Sequence, residues 1–165
     1  RSRMACLSSE DRDQISAFEI SPSTKCLSTE TYPDQVYQYF RWSVSCGQRK
    51  IESAPADKNG KEELIEDGYL LFRKPRDEVK LLVRQLEALR DRESEVVIFE
   101  PAEPSFDLKI LRPDNDEEGL KVFLFVDESS VETGISRWDA IGIRYFTDDE
   151  KLTLFINELK SEFNC

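Results

Sequence analysis

From Tyr37 to Cys46 the chain alternates: Phe40, Trp42, Val44 and Cys46 fall on one side of an extended backbone, and Tyr37, Tyr39, Arg41, Ser43 and Ser45 on the other. Successive side chains of a strand point to opposite faces, so this stretch predicts a strand with one apolar face. Gly68 to Arg73 is a second, shorter apolar run, and it leads into Pro75, a residue suited to the first turn of a helix. Val79, Leu82, Val83, Leu86 and Leu89 then return every three or four positions. That spacing puts them on one stripe of a helix predicted over Pro75–Arg92. Three further strands are predicted at Glu95–Phe99, Ser105–Leu111 and Leu120–Val126, the last two joined by the acidic turn from Pro113 to Gly119. A fourth covers Ala140–Phe146, and Thr147-Asp148-Asp149-Glu150 after it reads as a capping box with Thr147 as acceptor. Leu152, Phe155, Ile156, Leu159 and Phe163 then place an amphipathic helix over Asp148–Phe163.

The remainder is less patterned. Residues 1–35 are polar, with apolar alternation confined to the neighbourhood of Phe18 and Ile20, and are expected to add an edge strand at most. Glu52 to Glu66, with Pro55, Asn59 and Gly60, reads as a turn-rich excursion. Strands come in runs, there is no βαβ rhythm, and no glycine-rich turn leads from a strand into a helix, which argues against a doubly wound fold. The expected architecture is α+β, a largely antiparallel sheet with two main amphipathic helices packed on one face. Residues 1–35 form a polar N-terminal segment and residues 36–165 the main domain.

Composition narrows the chemistry. The chain of 165 residues has no histidine, 34 Asp and Glu against 23 Lys and Arg, and a net charge of -11. The absence of histidine removes the commonest general base and metal ligand, so no enzyme, no catalytic residue and no cofactor are expected. An acidic surface repels nucleic acid and anionic membrane and attracts a basic protein. Cys6, Cys26, Cys46 and Cys165 form no C-x-x-C pair and no zinc spacing, so no metal is expected, and reduced thiols suit a cytoplasmic protein. Cys46 reads as a buried structural thiol. Asp114, Asp116, Glu117 and Glu118 do not fit a calcium loop, because a strand follows where its twelfth-position Glu belongs. Glu100 and Glu103, in E-P-A-E-P, read as a solvated turn rather than an acid/base pair. No stretch approaches the roughly 20 apolar residues of a membrane span, and the first residues lack the apolar core of a signal peptide.

Y-F-R-W-S-V-S-C at 39–46, the run L-L-F-R-K-P-R-D-E-V-K-L-L-V-R-Q-L-E-A-L at 70–89, I-F-E-P-A-E-P-S-F-D-L-K-I at 98–110 and the closing aromatic strand with its helix are arranged in a recognisable order. In that order Tyr37 to Phe163 resembles the WapI-type immunity proteins of bacterial polymorphic toxin systems. The first 35 residues and the Ser129–Trp138 stretch lie outside the resemblance. It implies a small cytoplasmic, non-catalytic protein that binds and neutralises a cognate toxin. Immunity surfaces follow their individual toxins, so the resemblance transfers no binding residues. From charge, the expected partner is a basic toxin domain. Asp114, Asp116, Glu117, Glu118, Asp127, Glu128 and Glu132 are expected to steer it, and Trp138 to serve as an apolar anchor. The free protein is expected to be a monomer. An acidic adaptor or regulatory protein and, less favoured, a histidine-free enzyme are the alternatives.

Overall fold

A computed structural model describes residues 4–11, 13–28, 36–52, 71–72, 74–101, 106–115, 119–127 and 140–165. The fold is α+β, with antiparallel strands and, among the described residues, two helices. In chain order the elements are β1 (Ala5–Ser8), β2 (Ser16–Ser28), β3 (Val36–Cys46), β4 (Arg49–Glu52), β5 (Leu71–Phe72), α1 (Pro75–Arg90), β6 (Val96–Phe99), β7 (Phe106–Leu111), β8 (Leu120–Asp127), β9 (Ala140–Thr147) and α2 (Asp149–Phe163).

The strands divide into two sheets rather than one. The first has the order β1-β2-β3-β4, with β5 also paired to β3, and the second is the meander β6-β7-β8-β9. The segment 1–35 adds more than an edge strand. β2 lies inside the first sheet, bonded to β1 on one side and β3 on the other. Its weak alternation hid it, although Leu7, Phe18 and Ile20 are completely buried. The predicted excursion Glu52–Glu66 lies outside the described residues from position 53 onward.

The apolar stripes read from sequence meet in one core. Val79, Leu82, Leu86 and Leu89 of α1 and Leu152, Phe155, Ile156 and Leu159 of α2 are buried with the inward faces of both sheets. Phe106 of β7 links the layers, its ring centroid 5.3 Å from that of Phe18 on β2 and 5.8 Å from that of Phe40 on β3. Trp42 is buried, as its face of β3 requires. Cys46, expected inside, is exposed: it is the last residue of β3 before the turn at Gly47, whose φ of 61° is left-handed. One corner ties the sheets together. The Tyr145 hydroxyl donates to the Leu7 carbonyl at 2.5 Å, the Thr147 hydroxyl to the Ser8 carbonyl at 2.7 Å, and the Glu10 amide to the Phe146 carbonyl at 2.9 Å. Gly119 fits this corner because a Cβ there would stand 2.8 Å from the Thr147 carbonyl oxygen.

That corner corrects the predicted cap. Thr147 is fully buried at the end of β9 and spends its hydroxyl on β1, so Asp148 caps α2 instead, accepting from the Lys151 amide at 2.8 Å. Burial works to raise the Asp148 carboxyl, but the Lys151 amide and ammonium outweigh it and hold the pKa below its ordinary 3.8. A carboxyl with a depressed folded pKa stabilises the fold above its unfolded pKa, and that contribution fades as pH falls through the folded value. Asp148→Ala is therefore expected to cost about 1 kcal/mol at neutral pH. Urea denaturation should show the deficit shrinking as pH is lowered below 3.8.

Candidate interaction face

β8 is apolar on both sides. Leu120, Val122, Leu124 and Val126 point into the core, while Lys121, Phe123, Phe125 and Asp127 point away from it. An antiparallel strand with a solvated face ordinarily carries polar residues there. The neighbours continue the departure: Ile98 on β6 is 65% exposed, and Phe125 on β8 and Phe146 on β9 are each 46% exposed.

The register places these residues in rows across the sheet. Val96, Leu111, Lys121 and Phe146 form one row, then Ile98, Lys109, Phe123 and Arg144, then Asp107, Phe125 and Gly142, and finally Asp127 with Ala140. A groove of about 390 Å³ runs over the first two rows between β8 and β9, lined by Lys121, Phe123, Arg144 and Phe146. A Cβ on Gly142 would come within 2.6 Å of two carbons of the Phe125 ring, so that ring lies across the glycine and is held there despite its exposure. The cations Lys109, Lys121 and Arg144 gather in the first two rows and the carboxylates Asp107 and Asp127 in the last two.

Of the residues singled out by charge, Asp114 is exposed just beyond β7 and Asp127 is the half-buried last residue of β8. They lie at opposite ends of β8. Eight residues of strand, Leu120–Asp127, run about 25 Å between the end near Asp114 and Asp127. Asp114 and Asp127 therefore form no single patch, and the exposed apolar face stands between them. Asp116, Glu117, Glu118, Glu128, Glu132 and Trp138 lie outside the described residues. The signal for the face was present in the sequence, since L-K-V-F-L-F-V-D carries two phenylalanines on the side opposite its core residues.

The described groups with shifted pKa values lie elsewhere. Burial pushes the Cys6 thiol up to about 11, the carboxylates of Glu19 and Glu158 adding to the effect, so it stays protonated at neutral pH and is a poor nucleophile. Burial likewise raises the Tyr145 hydroxyl, which serves the corner between the sheets. Among the described residues no cluster of three or more metal-ligating side chains occurs, and no helix is long and apolar enough to cross a membrane. No protein-family model matches the chain, and no curated protein matches it.

Proposed function

We propose that the chain is an immunity protein that binds a cognate bacterial toxin domain and neutralises it by direct contact in the cytoplasm. One observation carries the reading: a four-stranded face exposing Ile98, Phe125 and Phe146, with Asp114 and Asp127 at its two ends. Aromatic and aliphatic groups grouped on one open face, with charges at the border, are the composition of a protein-binding surface. The net charge of -11 supports a basic partner, drawn in at long range and then held on the apolar centre. The order of strands and helices from Tyr37 to Phe163 supports the immunity class through its resemblance to WapI-type proteins.

The test uses a basic domain encoded by a reading frame beside the coding gene, which the proposal requires. Its association with the chain should be slowed about tenfold by Asp114→Lys together with Asp127→Lys, with the difference shrinking as salt is raised. Stopped-flow fluorescence measures this directly. No complex with that domain, or association insensitive to both reversals, would contradict steering by these segments.

A further inference from the structure

The outward residues of the second sheet complement themselves. Along β8 they read Lys121, Phe123, Phe125, Asp127, along β7 Asp107, Lys109, Leu111, and along β9 Ala140, Gly142, Arg144, Phe146. The β8 and β9 series reverse charge or size about their midpoints, and on β7 the pair Asp107 and Lys109 does the same. The three midpoints are Leu108, Leu124 and Ile143, which the hydrogen-bond register places on one line across the sheet. A two-fold axis lying over that line turns the sheet onto a second copy of itself with its strands reversed, the arrangement of an isologous interface.

The pairs produced by this operation are favourable on β7, β8 and β9, while on β6, where the line passes Phe99, Ile98 comes over Glu100 of the second copy. Lys109 comes over Asp107 of the second copy, and both residues are exposed and free of ion pairs among the described residues. Lys121 comes over Asp127 of the second copy, and Phe123 over its Phe125. Arg144 comes over the second copy's Gly142, whose surface is the Phe125 ring, an aromatic face suited to a guanidinium. Phe146 meets the small Ala140. Sheets packed face to face cross at about 30°, which spreads the outermost pairs but keeps those beside the axis opposed. Packing with strands in the same sense about an axis along β8 would instead place Lys109 over Arg144, Lys121 over Lys121 and Asp127 over Asp127, so the charges select one orientation.

We infer that the outer face of the β6–β9 sheet is a homodimer interface in the free protein, closed by a second copy of the chain about this axis. This departs from the expected monomer and does not rest on the immunity reading, although a toxin using the same face has to displace the second copy. The face measures roughly 20 Å in each direction, small for a stable interface, so the dimer is reversible with Kd on the order of 10–100 μM.

Sedimentation velocity on the purified full chain from about 5 to 300 μM, a range spanning that Kd, tests the inference. The wild type is expected to pass from monomer to dimer. Lys109→Asp places like charges at both symmetry-related positions and should weaken association about tenfold or more. The double variant Asp107→Lys/Lys109→Asp restores opposite charges in the same geometry and should return Kd to within about threefold of wild type. Circular dichroism melts verify folding. Should either variant fail to fold, the Lys121→Asp and Lys121→Asp/Asp127→Lys pair replaces it. A wild type that stays monomeric, a dimer unaffected by the single reversal, or a double exchange that does not rescue overturns the inference. None of these results bears on whether the toxin binds, so the two readings fail separately.

Discussion

Phe155→Ala is expected to cost about 3–5 kcal/mol of stability, among the largest effects of any single substitution in the described residues. The side chain is completely buried on α2, and its ring stands edge-on to Phe18 on β2, centroids 6.4 Å apart. Truncation removes the transfer free energy of the ring and leaves a cavity bordered by a helix and a sheet, both anchored elsewhere and poorly placed to collapse. Urea denaturation should show the loss as a lower midpoint at unchanged slope. Leu154→Ala, one residue earlier on the same helix but 54% exposed, is the control and should change stability by less than about 0.5 kcal/mol.

Arg112→Ala is expected to cost about 2–3 kcal/mol by a polar mechanism. Arg112 follows β7, and its side chain is only 8% exposed. Its guanidinium donates to the Leu89 carbonyl near the end of α1 at 2.9 Å and makes a two-pronged pair with Asp149 at the start of α2, at 2.7 and 3.2 Å. One side chain thus joins a strand and the ends of both helices. The Asp149 carboxylate is half exposed, so solvent screens its share. Asp149→Asn should accordingly cost under about 1 kcal/mol. Most of the loss in Arg112→Ala is the shorter of two bonds to the Leu89 carbonyl, which keeps only the Arg92 amide at 3.3 Å, and the stem no longer packed. Equal losses for the two variants by thermal and urea melts would contradict this division.

The helices were legible because their signal is local. Val79 to Leu89 and Leu152 to Phe163 repeat with the helical period. α1 ends at Arg90, two residues short of the predicted Arg92, whose φ is 61° and outside the right-handed helix. β7, β8 and β9 were legible for the same reason, since their burial alternates residue by residue. The partition into two sheets was not, because partners such as Ala5 with Ile20, or Phe18 with Val44, are fixed by long-range register that no local pattern records. The Thr147 cap misled for a related reason. Its sequence suits a cap, but Ser8, far away in the chain, takes the hydroxyl.

Composition alone does not separate the candidate face from the core. Phe123, Phe125 and Phe146 are as apolar as Phe106, and only the phase of alternation against buried neighbours separates them. Charge pointed instead to acidic residues, of which Asp114 and Asp127 stand at opposite ends of β8.

The most direct test of the proposed face is the growth of bacteria producing the toxic domain that the proposal requires beside the coding gene, with the chain supplied as wild type or as Ile98→Asp/Phe125→Asp. Both substituted residues are exposed and outside the core, so a melting temperature near that of wild type establishes that the variant is folded. The account predicts that the wild type protects and that the folded double variant does not, its affinity for the domain falling at least about thirtyfold with the loss of two central apolar contacts. Full protection by the folded double variant would contradict it.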